Sequence, residues 1–434
     1  MKYTVQYLLA LLFLFILNSC SESKTEAIKT YQLENTSSEA LNPYLTHDNK
    51  GNAVLCWTEK NMVDSLYRLK YAVYDSLTNK FNPPITVTSS KGTKSSPESM
   101  NKVAFKSDGT VIAVYSKAFE NEKSPYAGAI CYSMSADKGK SWLNSQYIHS
   151  DTAHHYGRNY FDIATLKNGE IAAIWLDGRY GKADSGSAIF FNRTEKGKGF
   201  GENKLINRNT CECCRTELLS DGDGNIHIAY RSITYPQSGL GKQVRDMVYT
   251  SSSDYGKTFS KIQPVSKDNW EIEGCPHTGP SLAVNKNGAH ALWFTAGGNS
   301  GLYYAHLPIS TAVFNPRFSV STNGKHPQMI ALKDGSLAMV WEEVTEQTSP
   351  SNKTKSDTHD NKMKHGHSHG PTPVSRIRLN ILKDAKLHKS MLITEGKQPE
   401  HHAVITSVNS GLLLAWVKEN KGKVGIYYSF VKME

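Results

Sequence analysis

The sequence predicts an all-β protein, a β-propeller of four-stranded blades, with seven blades favoured and six as the alternative. Three observations carry this. A hairpin pattern recurs seven times along the 434 residues. A shorter turn motif follows that hairpin in several units. Helical periodicity is missing, and the units are roughly 50–70 residues long, the length of one four-stranded blade.

The recurring hairpin is a short apolar segment, a polar turn ending in Gly, an alternating apolar strand, then Trp or Tyr. Its copies are "NPYLTHDNKGNAVLCW" (ending at Trp57), "SPESMNKVAFKSDGTVIAVY" (Tyr115), "RNYFDIATLKNGEIAAIW" (Trp175), "CRTELLSDGDGNIHIAY" (Tyr230), "TGPSLAVNKNGAHALW" (Trp293), "HPQMIALKDGSLAMVW" (Trp341) and "PEHHAVITSVNSGLLLAW" (Trp416). The aromatic lies six residues after the turn Gly in five copies and five after it in two. The last unit ends at "KVGIYYSFVK" without an outer strand, and 28–36 ("IKTYQLENT") is placed to supply it and close the ring.

The second motif is Ser-x-Asp-x-Gly-x-x-aromatic. It is sharp in "SMSADKGKSW" (Ser135, Asp137, Gly139, Trp142) and "TSSSDYGKTF" (Ser252, Asp254, Gly256, Phe259), and worn in "NRTEKGKGF", which ends at Phe200. Ser and Asp oxygens bond the turn backbone and Gly takes the left-handed position. This element resembles the Asp box of bacterial sialidases and their relatives. The resemblance implies the propeller fold, in its six-bladed form, and structural rather than catalytic Asp boxes.

The first twenty residues, "MKYTVQYLLALLFLFILNSC", carry Lys2, an unbroken apolar core and then Leu-x-Ser-Cys. This reads as a secretory signal, 1–19, and its end resembles a bacterial lipobox. The resemblance implies cleavage before Cys20 and lipidation of its thiol; residues 20–27 then form a polar tether to a propeller over 28–434. The expected product is a monomer in the bacterial cell envelope, bound to a membrane by its lipid. A net charge of +10 is spread along the chain without a basic helix, so nucleic acid is excluded and an anionic glycan is the partner the charge suits.

In a blade whose strands run outward from the axis, the turns of both motifs lie on one face. The links into each innermost strand, and the loops between the second and third strands, lie on the other. The chemically rich segments all fall in the second group. "NTCECCR" brings Cys211, Cys213 and Cys214 into the link to unit four, and "GCPHTGP" brings Cys275 and His277 into the link to unit five. Two readings stand: one or two disulfides, which an exported protein permits, or a soft-metal site suited to copper or zinc. Cys56 and Cys131 lie in apolar strands, as buried thiols or one bridge between blades. A second metal candidate is the tract His359, His365, His367 and His369, inside a polar insert at 344–375 expected to be disordered.

Arg158, Arg179, Arg215, Arg231 and Arg245 also fall on this side, and guanidinium groups suit a carboxylate ligand. Sialidases as a family use three arginines, a Tyr–Glu pair and an Asp; the Arg-Ile-Pro motif that opens their catalytic domains is missing here. No catalytic residue is assigned. The favoured function is a lipid-anchored propeller that binds an anionic glycan or a metal ion at its mouth. The alternative is an exo-acting glycoside hydrolase of sialidase type with a rearranged site.

Overall fold

The computed structural model describes residues 28–34, 36, 39–181, 185–235, 242–345 and 373–433. The leader with Cys20, and the tract His359, His365, His367 and His369, lie outside these residues. Within them the chain forms seven antiparallel blades. Their innermost strands are Ala40–His47, Lys102–Phe105, Arg158–Thr165, Glu217–Ser220, Ser281–Asn285, Gly324–Ala331 and Glu400–Val408. Blades three and four touch at their edges through one pair, Thr210 with Ser232. Blade seven takes its outer strand from the other end of the chain: Thr30–Gln32 pairs antiparallel with Lys423–Lys432. The seven-bladed count favoured from the sequence is the one observed.

The core is distributed around the ring. Each contact between neighbouring blades holds one apolar cluster. The aromatic column supplies their largest members: Trp57, Tyr115, Trp175, Tyr230, Trp293, Trp341 and Trp416 are all 0–1 % exposed. Burying an indole buries its N–H, which needs an acceptor. Trp57 donates to Glu59 at 2.7 Å, Trp175 to Asp177 at 3.1 Å and Trp293 to Asp268 at 2.7 Å.

The Asp boxes are turn locks. Asp137 Oδ1 accepts from the Ser141 amide (2.9 Å) and the Ser135 hydroxyl (2.8 Å), and the Gly139 amide donates to Ser135 Oγ (2.8 Å). Asp254, Ser252, Thr258 and Gly256 repeat this arrangement. The box aromatics pack on the preceding blade: Trp142 against Tyr71, Phe200 against Tyr132 and Phe259 against Phe191, all edge to face. The motif therefore fastens blade to blade as well as shaping its own hairpin.

One irregularity positions the site. In blades one, three, six and seven the innermost strand shifts register opposite the column Trp. The first residue of each shift has left-handed backbone: Asn42 (φ 56), Tyr160 (φ 50), His326 (φ 47) and His402 (φ 53). This bulge re-aims the side chains at the start of the strand. A left-handed non-glycine residue costs on the order of 1 kcal/mol or more. Its recurrence in four blades makes it a built feature of the mouth.

Candidate functional site

The links into the innermost strands meet around the axis. From blade four come Cys211, Cys213 and Cys214, all buried. Cys211 Sγ lies 3.6 Å from Cys213 Sγ and 3.3 Å from Cys214 Sγ, and the three sulfurs lie within 4.8 Å of one another. Cys275, from the next link, is exposed, and its pKa is lowered chiefly by the Cys213 thiol. All four thiols are free. Tyr160 packs against the three buried cysteines. A shallow depression lined by Glu212, Tyr235, Gln243, Arg245, Glu273 and Cys275 opens beside them.

The electrostatics favour one thiolate. Hydrogen bonds from Cys213 and Cys214 pull the Cys211 pKa down, and the Arg245 charge helps, with Nη1 donating to its sulfur at 3.1 Å. The thiol of Cys213 is pushed up by sharing protons with its neighbours, and that of Cys214 chiefly by burial. Cys56 and Cys131 behave differently. Both are buried in the apolar contact between blades one and two; burial raises both, Cys56 to about 12.

His277 is exposed, and its carbonyl faces His326 Nε2 at 3.2 Å. His326 and His402 begin a second cluster, which sequence reasoning did not single out. Glu98, from the link into blade two, is 4 % exposed and forms with these two rings a group whose donor atoms lie within 4.8 Å of one another. Glu342 and His401 border it. Glu342 Oε1 meets His326 Nδ1 at 2.8 Å, the His402 amide donates to Glu342 Oε2 at 2.8 Å, and Nδ1 atoms of His401 and His402 lie 2.6 Å apart. Burial opposes charge on His326, yet the Glu342 carboxylate outweighs it and raises that pKa. Burial, with His326 as neighbour, holds His402 well below the usual histidine range. The signal that could have found this cluster is spacing: Asn42, Tyr160, Arg215, His326 and His402 each stand nine residues before a turn Gly.

The five arginines have internal partners. Arg158 pairs with Asp151 (3.0 Å) and Asp177 (3.4 Å), and Arg179 grips Asp177 and lies over Phe190. Arg215 donates to the Pro280 and Pro327 carbonyls at 3.0 Å and faces Glu98 at 3.5 Å. Arg231 donates to the Arg245 and Phe294 carbonyls at 2.8 Å, and Arg245 serves Cys211 and Gln243. Deeper on the axis, Lys102 Nζ binds Asp162 at 2.7 Å with both side chains buried. Nearby Glu217 is pushed to about 7 by burial and by Asp162.

A ring of four-stranded blades, with Asp-box turns on one face and the cysteine-bearing links on the other, defines a sialidase-like β-propeller. The BNR repeat-like domain matches residues 68–339, more than half of the chain, and the chain belongs to that family. No curated protein matches. Among solved structures it is similar to the polysaccharide lyase Uly1 (11 % identity, 93 % of this chain and 91 % of that one, TM-score 0.54). It is also similar to the NanB sialidase of Streptococcus pneumoniae (10 %, 73 % and 67 %, 0.46) and to the α-L-arabinofuranosidase Arb93A of Fusarium graminearum (11 %, 73 % and 93 %, 0.46). At these identities the likeness is one of fold.

Proposed function

We propose that this propeller binds a thiophilic metal ion, copper or zinc, at its mouth through Cys211, Cys213 and Cys214, with Cys275 completing the set. The observation that carries the reading is the packing of three buried sulfurs, those of Cys213 and Cys214 standing 3.6 and 3.3 Å from that of Cys211. Thiolates on one ion at about 2.3 Å in a tetrahedral array stand about 3.8 Å apart, close to the separations of Cys213 and Cys214 from Cys211. Arg245 offsets part of the negative charge that gathers when the thiols deprotonate. The partnered arginines favour this reading over glycan hydrolysis, because a carboxylate-gripping triad would need guanidinium groups free to face a sugar. The lipobox-like end of the leader adds the proposal that the chain is held in the cell envelope through a lipid on Cys20.

The test is metal analysis of the full chain purified without a histidine tag, together with Co2+ loading. Sulfur-to-cobalt charge-transfer absorption is expected in the wild type and lost in Cys211→Ser with Cys214→Ser. Thiols that become reactive only after a reductant, with no charge-transfer band, would sink the reading in favour of disulfides.

A further inference from the structure

We infer that Glu98, His326 and His402 form a second metal site, built from imidazole and carboxylate donors and suited to a borderline divalent ion such as zinc. It stands apart from the thiolate cluster in its donor chemistry, and it does not depend on that cluster binding anything. Four observations carry it.

The donors converge: one atom from each residue lies within 4.8 Å of the others, although Glu98 comes from the link into blade two and the histidines from the innermost strands of blades six and seven. Such convergence of residues 98, 326 and 402 follows from the ring closure, since no local segment brings them together. Glu98 is 4 % exposed, and its Oε1 has no hydrogen-bond partner. Its other oxygen accepts from the Gly279 amide at 2.8 Å, which fixes the carboxylate, and Arg215 Nη1 makes an ion pair with Oε1 at 3.5 Å, too long for a hydrogen bond. A buried carboxylate oxygen with no hydrogen-bond donor is costly, and the long Arg215 ion pair leaves Oε1 able to ligate an ion as well.

Both imidazoles are held in position. Each stands on a bulge residue with left-handed backbone, and their rings lie 4.3 Å apart. Glu342 contacts His326 Nδ1 and anchors the His402 backbone, which leaves His326 Nε2 as its ligand atom; that nitrogen faces the His277 carbonyl at 3.2 Å here and would give up this contact, and its proton, to the ion. Carboxylates that orient histidine ligands from outside are a recurring part of metal sites. Two histidines and one glutamate are also the donor set of open zinc sites, which keep a fourth position for water or another ligand. His326 is 17 % exposed, so an ion here would be reached from the mouth.

The substitutions that test this are fixed by the backbone. Asn tolerates the left-handed region, and blade one already carries Asn42 at the matching position with φ 56. His326→Asn and His402→Asn therefore remove a ligand while keeping the bulge. Glu98→Gln keeps an oxygen for the Gly279 amide and removes the charge. Zn2+ is titrated into the full chain with His359, His365, His367 and His369 replaced by Ala, so that the tract does not contribute. The expected result is that His326→Asn/His402→Asn lowers the stoichiometry by one ion per chain, and that Glu98→Gln weakens that ion at least tenfold. A Cys211→Ser/Cys213→Ser/Cys214→Ser/Cys275→Ser chain that stays folded by circular dichroism should still bind one Zn2+, and its Co2+ form should lack sulfur charge transfer. If the four-cysteine variant does not fold, the comparison is made in the wild-type cysteine background, where loss of one ion on the histidine change is again the expected outcome. Unchanged stoichiometry in the histidine variant, or no ion bound by a folded cysteine-free chain, overturns the site. Loss of the cysteine-dependent ion alone bears only on the thiolate reading.

Discussion

Gly256 shows how much one residue settles here. It has φ 80, and a Cβ built on it would stand 2.3 Å from the Phe191 ring of the preceding blade. Gly139 repeats this against Tyr71 Oη at 2.4 Å. The glycine of the Asp box is thus required twice, by its own turn and by the neighbour's aromatic. Gly256→Ala is expected to destabilise the protein by about 1–3 kcal/mol through strain and forced repacking. Urea unfolding followed by tryptophan fluorescence checks this, and an unchanged midpoint would remove the blade-fastening role. His149 is a second case. Its Nε2 accepts from the Ile130 amide at 3.3 Å and its Nδ1 donates to the Asp151 carbonyl at 2.5 Å, so the ring is held neutral. Burial, then the Arg158 charge, depress its pKa from 6.5 to about 4. The unfolded chain takes up this proton near 6.5 and the folded chain only near 4. The stability from His149 is therefore full above pH 6.5 and lost as pH falls through about 4, on the order of 3 kcal/mol. The melting temperature of wild type should fall more steeply between pH 6.5 and 4 than that of His149→Gln. Parallel curves would refute this.

At the scale of strands and links, the mouth is made by bulges and its floor by a buried ion pair. Lys102 Nζ reaches Asp162 and the Phe161 carbonyl from beneath the Tyr44 ring. Breaking such a pair leaves a charge with no counterpart, at about 3–5 kcal/mol. Lys102→Met should show that loss in denaturant unfolding, and adding Asp162→Asn should recover part of it. A double variant no more stable than the single would mean that Lys102 acts through packing alone. These elements also mark how far sequence reading carries. The blades were legible because Asp-Gly and Asn-Gly turns and the aromatic column repeat at nearly fixed spacing, and a period-two strand admits one register. The cysteine cluster was legible because two unusual motifs fall in adjacent links. The Glu98–His326–His402 group was not. Each member is a single ordinary residue in its own segment, and only the axis unites them. The arginines are engaged by internal partners, and for Arg215 and Arg231 these are chiefly backbone carbonyls, which no sequence pattern displays.

For the whole molecule, the decisive contact is the seam where Thr30–Gln32 joins Lys423–Lys432. Tyr31 stacks on Tyr428 with centroids 5.3 Å apart, and Leu33 is buried in the contact between blades seven and one. Tyr31→Asp with Leu33→Asp should lower the melting temperature and speed amide exchange selectively in Lys423–Lys432. Uniform acceleration around the ring would argue against a local seam. The seam also has a direction. Thr30 pairs with Ser429, toward the end of that strand nearest Gly411, in the hairpin turn on the face away from the mouth; Gln32 pairs with Tyr427, nearer the mouth. The chain therefore comes into the ring from below and leaves that strand toward the mouth. If a lipid on Cys20 holds the protein, as proposed above, the leash is attached to the underside. The propeller then stands on its membrane like an upturned cup, with cysteine and histidine donors offered outward to whatever diffuses past, and any pull on the leash bears first on the clasp that keeps the ring shut.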